Sequence, residues 1–169
     1  MVTSSLESIY RADGAVFTDR CGRKIVSHFG DLHKEIETLQ NNVGLLDMSY
    51  CDRLKVTGAD ALDLLNRLST NQLEGMDIGL VRWTILTTPK GRIIDVLKVA
   101  RMEDHLIIGA SPQRIRTIVE WIDFYTFGED VQLVDVSPNT VEFSLIGPHA
   151  PLVLSKFVTN RDVLANGTC

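Results

Sequence analysis

VRWTILTTPKGRIIDVLKVA, residues 81–100, reads as two extended segments joined by Pro89-Lys90-Gly91, a short connection suited to antiparallel pairing. Side chains alternate along a strand, so Ile93, Asp95, Leu97 and Val99 share one face while Arg92, Ile94, Val96, Lys98 and Ala100 share the other. An acid therefore stands on the apolar face, where an unpaired charge is expensive to bury. Two readings follow for Asp95. It accepts main-chain N–H groups or pairs with an arginine, or it is a desolvated acid of the kind that gathers at functional sites.

Outward from this hairpin the chain alternates strands and helices. On the N-terminal side, DRLKVTG (52–58) sets Leu54 and Val56 against Arg53, Lys55 and Thr57, as in a half-buried strand. Thr57 precedes Asp60 by three residues, a capping-box-like start, and Ala61, Leu64, Leu65 and Leu68 then form one helical stripe. On the C-terminal side, HLIIGA (105–110) supplies a further strand. SPQRIRTIVEWIDFYTFG (111–128) predicts a helix with Ser111 at the N-cap, Pro112 at the first helical position, and Ile115, Ile118, Val119 and Ile122 on one face. VQLVDVS (131–137) is a last strand. Residues 53–136 thus predict β-α-β-β-β-α-β, an α+β arrangement close to a ferredoxin-like split βαβ with an added strand, its antiparallel sheet carrying helices on one face.

The flanking segments predict the remainder. AVFTDRCGRKIVSHF (15–29) reads as two strands turning near Cys21-Gly22, and DLHKEIETLQNN (31–42) as a helix with Asp31 as N-cap and Leu32, Ile36 and Leu39 in line. VGLLDMS (43–49) reads as a short, largely buried strand. VEFSLIGPHAPLVLSKF (141–157) reads as a strand, a Gly-Pro turn and a helix striped by Ala150, Val153, Leu154 and Phe157. The expected organisation is residues 1–50 as part of a first α+β domain, 51–137 as the ferredoxin-like module, and 138–169 as the returning segment of the first domain, cut short.

A chain of 169 residues, 44% hydrophobic and 23% charged, has an ordinary globular composition. It can bury about 70% of the surface its unfolded form exposes. A net charge of -5 argues against nucleic acid or an anionic membrane as the main partner. No apolar run approaches the roughly 20 residues of a membrane span, and the first residues carry Glu7 and Asp13 in place of a signal-peptide core. The three cysteines show no CxxC spacing, so neither a disulfide framework nor a zinc site is expected, and a reducing, cytoplasmic setting is the default. No metal signature involves the four histidines. Asn166-Gly167-Thr168 formally matches a glycosylation acceptor and is read as chance.

The ordered series VGLLDMS, VTGADA, LSTNQL, KGRIID and LIGP, spread through residues 26–157, resembles the N-terminal half of the glycine-cleavage T-protein, the aminomethyltransferase family. It is similar also to the family's folate-binding relatives that support iron-sulfur cluster assembly. The resemblance implies a folate-holding protein, with a ferredoxin-like module set in a larger α+β domain. In the transferase members, tetrahydrofolate accepts a methylene group from an aminomethyl adduct on a lipoyl carrier protein, with release of ammonia. A homodimer, or a missing C-terminal half that completes the site, is the implied partner.

The family pattern carries paired acids, the first of which faces the folate nitrogens. That position is Asp95 here, and the second acid is replaced by Val96. The resemblance implies Asp95 as the catalytic group, hydrogen-bonded to folate N10 or N5. Trp83 and Arg82 fall near a position that offers folate an aromatic ring. Lys90, beside Arg92 at the hairpin tip, is placed to meet an anionic tail, and Met48 and Leu65 are further candidates to line the folate pocket. Each has a plainer role: strand packing for Trp83, a solvated turn charge for Lys90, core filling for Met48 and Leu65. Asp47 and Asn71 belong to the recurring motifs and could equally brace turns. Gly109 stands where transferase members carry an asparagine, and the residues with which the family clamps the pterin belong to its second half.

Overall fold

The computed structural model describes residues 6–157; the glycosylation-like triplet and Cys169 lie outside them. In chain order the elements are α1 (Glu7–Ala12), β1 (Ala15–Arg20), β2 (Arg23–Phe29), α2 (Leu32–Asn41), β3 (Gly44–Asp47), β4 (Asp52–Thr57), α3 (Ala61–Leu68), β5 (Val81–Thr87), β6 (Ile93–Arg101), β7 (Leu106–Ala110), α4 (Ile115–Phe124), β8 (Gln132–Asp135), β9 (Phe143–Ile146) and α5 (Ala150–Leu154). The described residues fall into two compact units: one joins those up to Tyr50 with those from Val141 to Phe157, and the other is Cys51–Thr140.

The second unit is the ferredoxin-like module with its added strand. Its five strands lie in the order β5-β6-β7-β4-β8, and every neighbouring pair is antiparallel. Alternation decides the layers: Leu54 and Val56 of β4, Leu86 of β5, Leu97 and Val99 of β6, and Ile108 of β7 are all fully buried. Against them pack Leu64 and Leu65 of α3 and Ile118 and Ile122 of α4, at most 1% exposed. Each such side chain contributes about 1.5–3 kcal/mol by leaving water.

Two helix starts differ from expectation. The Thr57–Asp60 capping box does not form: Thr57 ends β4, and the Asp60 carboxylate instead accepts the Asp130 N–H at 2.8 Å, while Asp130 accepts the Ala59 N–H at 3.1 Å. This reciprocal tie fixes the β4–α3 turn against the loop before β8. Gly58 enables it, since with φ at +114° an added Cβ would stand 1.9 Å from the Asp130 carbonyl oxygen. Likewise α4 starts at Ile115, with Arg114 at the N-cap, rather than one turn earlier after Ser111. A buried acid on β4 captures the start of this helix.

In the first unit, β1 and β2 form a hairpin whose turn residues Cys21 and Gly22 both have positive φ, as a tight two-residue turn requires. The Asp31 side chain caps α2 by accepting the His33 and Lys34 N–H groups. β3 pairs with β9 as a two-stranded antiparallel ribbon. The expectation that VGLLDMS is largely buried fails: Leu45 is 61% and Leu46 44% exposed. Helix α5 is also shorter than its stripe suggested, ending at Leu154 and leaving Phe157 outside it, 80% exposed.

Candidate functional site

Asp95 sits near the start of β6, opposite Leu86 of β5, on the helix-covered face, and is 6% exposed. Its carboxyl is gripped by Ser111 from two directions: the Ser111 hydroxyl donates to Oδ1 at 2.6 Å and the Ser111 N–H to Oδ2 at 2.9 Å. The Val96 N–H adds a bond to Oδ1 at 2.9 Å. The structural role weighed for Asp95 therefore operates, with main-chain and hydroxyl donors in place of arginine. A carboxylate offers about four acceptor positions. These three bonds occupy two on Oδ1 and one on Oδ2, so Oδ2 retains acceptor capacity.

A second buried acid supports the same helix. Asp52, the first residue of β4 and fully buried, accepts the N–H groups of Arg114 and Ile115 on its Oδ2 at 2.7 and 2.9 Å. It thereby satisfies two of the donors that a helix start leaves open. Asp52 shares its face with Leu54 and Val56, so the alternation that singles out Asp95 was available for it too. On the opposite face of the same strand, Arg53 is 5% exposed. Its guanidinium donates to Thr140 Oγ1 at 2.8 Å and to the carbonyl oxygens of Cys51, Ser137 and Thr140 at 2.9–3.0 Å. Arg53 thus ties the beginning of the module to its end.

The remaining candidates spread over the molecule. Trp83 is 52% exposed and pairs across strands with Lys98, which puts it on the face opposite Asp95. Lys98 pairs in turn with Gly109, and its Cε lies 3.3 Å from where a Gly109 Cβ would stand. Trp83, Lys98 and Gly109 therefore form one row across the open face of the sheet, with half-exposed Val96 on that face too. Arg82 is turned to the Gln72 carbonyl oxygen, bonded at 2.6 Å. Lys90 is exposed at the hairpin tip, and Leu65, 1% exposed, fills the core under α3. Met48 belongs to the first unit, where its N–H meets the Glu142 carbonyl oxygen at 2.8 Å. Asp95 is thus brought to Ser111 and not to Trp83.

The two motif polar residues brace turns. Asp47 accepts the Tyr10 hydroxyl at 2.7 Å and the Ser49 N–H at 2.8 Å, while the Asn71 side-chain amide donates to the Trp83 carbonyl oxygen at 2.6 Å. Burial and the Asp47 bond push the Tyr10 hydroxyl's pKa up, so it stays protonated and donating. A shallow hollow of about 180 Å³ lies at the other end of the module, lined by Val56, Ala61, Arg101, Asp104 and His105 among others. Arg101 is about 20 Å along β6 from Asp95, so this hollow does not belong to that acid. Among the described residues no group of three or more His, Cys, Asp or Glu is placed to hold a metal ion, and no helix is long and apolar enough to cross a membrane.

The fold and the site define an α+β chain whose inserted ferredoxin-like module carries a buried acid beneath the entry to its second helix. The family model described as the GCVT N-terminal domain matches residues 6–168, and the chain belongs to that family. It is 30% identical over 161 residues to an aminomethyltransferase of Geobacillus sp. (strain WCH70), covering 95% of this chain and 44% of that protein. It is 31% identical over 176 residues to an aminomethyltransferase of Clostridium botulinum (strain ATCC 19397 / Type A), covering 96% of this chain and 47% of that one. The glycine cleavage system aminomethyltransferase T of Bartonella henselae shares the fold, with a TM-score of 0.81 at 23% identity over 89% of this chain and 42% of its own. The chain spans about half the length of the curated relatives it matches.

Proposed function

We propose that this chain is the N-terminal part of an aminomethyltransferase of the glycine-cleavage type. In this reading it helps hold tetrahydrofolate as the one-carbon acceptor, with a lipoyl carrier protein delivering the aminomethyl group. The observation that carries the reading is the Asp95 carboxyl: buried, oriented by Ser111, and keeping acceptor capacity on Oδ2. Such a group suits an N–H of the folate. It orients the nitrogen toward the methylene carbon and takes its proton as one C–N bond forms and the amine leaves as ammonia; the second folate nitrogen then displaces the lipoyl sulfur, which leaves as the thiol with that nitrogen's proton.

The Trp83–Lys98–Gly109 row, with half-exposed Val96 beside it, lies on the face of the sheet opposite Asp95, so in this reading it does not meet the part of the ligand that Asp95 orients. Lys98 occupies the space that a longer residue at 109 would claim. Lys90 at the hairpin tip suits an anionic tail on the ligand. Met48, Leu65 and Arg82 hold the surrounding structure in this reading. The accessory role in iron-sulfur assembly is not favoured, since the curated relatives described above are aminomethyltransferases.

The test is tetrahydrofolate-dependent methylene transfer by the full-length protein containing this chain, compared with its D95N variant. Loss of an acid–base group typically costs about 10²–10⁴ in rate, and that loss is expected with folate binding retained. Transfer by D95N at the parent rate would remove Asp95 from the chemistry, and folate binding without any transfer by the parent protein would return the accessory role.

A further inference from the structure

We infer that Arg114 is the residue with which the Asp95 site selects a ligand carrying a carboxylate, its guanidinium binding the anionic tail of the molecule whose nitrogen meets Asp95. The inference rests on the folate reading, in which that tail is the glutamate of tetrahydrofolate, and it gives the tail a specific partner that the reading lacks.

The geometry of the β7–α4 loop carries it. Pairing of β7 with β6 begins at Lys98 and Gly109, so residues 93–97 of β6 have no strand beside them on that side among the described residues. The loop takes the place of a strand there. Ser111 meets the Asp95 carboxyl, and Arg114 Nη2 donates to the Ile94 carbonyl oxygen, at the residue next to Asp95. In the other direction the Arg114 N–H donates to Asp52 of β4 at 2.7 Å. Between the two contacts stands Gln113 with φ at +62°, a left-handed conformation that a non-glycine residue holds only where its surroundings enforce it. Arg114 is therefore fastened by its side chain to β6 and by its main chain to β4.

The fastening leaves donors unspent. A guanidinium carries five N–H groups in a rigid fork. Among the described residues the Arg114 side chain makes one hydrogen bond, the one to Ile94. Trp121 Nε1 is the only buried side-chain nitrogen or oxygen there without a partner, so Arg114 Nε and Nη1 reach solvent. Nη2 has two N–H groups and spends one, so one paired edge of the fork stays open. Such an edge matches a carboxylate with two parallel bonds.

Helix stability does not account for an arginine at this position. The first turn of α4 contains no acid, and cations at a helix start, here Arg114 and then Arg116, oppose its dipole. Lys90 and Arg92 add positive charge at the same end of the sheet, since the hairpin tip leads directly into β6. Both are exposed, whereas Arg114 is partly buried and already held in place, so it gives up less rotamer freedom on meeting a ligand.

The test is calorimetry on the full-length protein containing this chain, with tetrahydrofolate and with the analogue whose glutamate carboxyls are blocked as amides. The parent should bind the free acid about tenfold or more tightly than the amide. Arg114→Met should abolish that preference. Arg114→Lys, which keeps the charge and a donor for Ile94 without the fork, should retain about threefold of it while unfolding in urea as the parent does. Lys90→Gln should reduce the preference by about twofold at most, because an exposed charge acts through screened attraction alone. In turnover the loss in Arg114→Lys should fall on KM, with kcat nearly unchanged. A preference that survives in both Arg114 variants, or a parent that binds the two forms equally, overturns the inference and leaves the folate reading intact. A parent that binds neither form overturns both.

Discussion

Replacing Asp52 with alanine should loosen the start of α4 from β4, just after the Ser111 that holds Asp95. The carboxylate is fully buried and accepts two N–H groups at 2.7 and 2.9 Å on one oxygen. Loss of a cap typically costs about 1 kcal/mol, and each N–H left without a partner in a buried setting costs about 1–3 kcal/mol. Arg114 and Ile115 are only partly buried, so water reaches them in part and the lower end applies, giving a total of about 2–3 kcal/mol. In a unit of about 90 residues this corresponds to a fall in Tm of roughly 10–20 °C. D52N keeps one acceptor oxygen and should lose about 1 kcal/mol. Both tryptophans, Trp83 and Trp121, lie in this unit, so urea unfolding followed by tryptophan fluorescence reports it specifically. If D52A unfolds within about 0.5 kcal/mol of the parent, the α4 start is secured by something else and the capping role assigned to Asp52 is wrong.

Gly58→Ala should destabilise the same unit by about 2–4 kcal/mol in the same unfolding assay, because the new Cβ meets the Asp130 carbonyl oxygen at 1.9 Å on a backbone with φ +114°. Ser111→Ala removes one of the three bonds to Asp95 and should cost about 1 kcal/mol, with Ser111→Thr recovering most of it; equal losses in the two variants would show that the hydroxyl does not matter. The Arg67 guanidinium, followed by the Gly128 and Phe127 N–H groups, holds the Glu129 carboxyl at about 2, down from 4.5. A carboxyl depressed in the folded state stabilises above its unfolded pKa and loses that contribution as pH falls through its folded one. The Tm difference between the parent and E129Q should therefore be level above about pH 4.5 and vanish by about pH 2. A difference that persists unchanged at pH 2 would place the origin elsewhere.

Most of the second unit was legible in the sequence, because a half-buried antiparallel sheet writes its layers into every second residue. Leu54 and Val56, Leu97 and Val99, and the α3 stripe all fall on the predicted faces and fill one core. Helix starts were harder to read. Capping rules consider neighbours in sequence, and Thr57, Asp60 and Ser111 all have side chains or positions suited to them. The partners that win come from far along the chain: Asp130 takes Asp60, Asp95 takes Ser111, and Asp52 reaches α4 from a strand 62 residues earlier. The first unit shows a second limit. Periodicity in DLHKEIETLQNN and the apolar run in VGLLDMS state which surfaces should be covered, but nothing in either segment states what covers them. Leu32, Ile36, Leu45 and Leu46 remain exposed although their pattern is that of interior residues.

The same long-range partners explain why Asp95 admits a structural and a functional role together. A carboxyl that merely capped a turn would spend its oxygens on main-chain donors, and a free catalytic acid would be held loosely. Asp95 lies between these: Ser111 orients both oxygens, and Ser111 leads directly into the turn whose far end, Arg114 and Ile115, is held by Asp52. Orientation of the acid therefore passes from β4 to the start of α4 and back to β6. The two roles separate by substitution. Removing the support at Ser111 should lower stability modestly and disturb the direction in which Oδ2 presents itself, while D95N keeps an acceptor for Ser111 and removes the proton-taking group. In the full-length protein, a structural Asp95 requires transfer to follow stability through both variants. A functional one requires D95N to lose transfer out of proportion to any change in unfolding free energy.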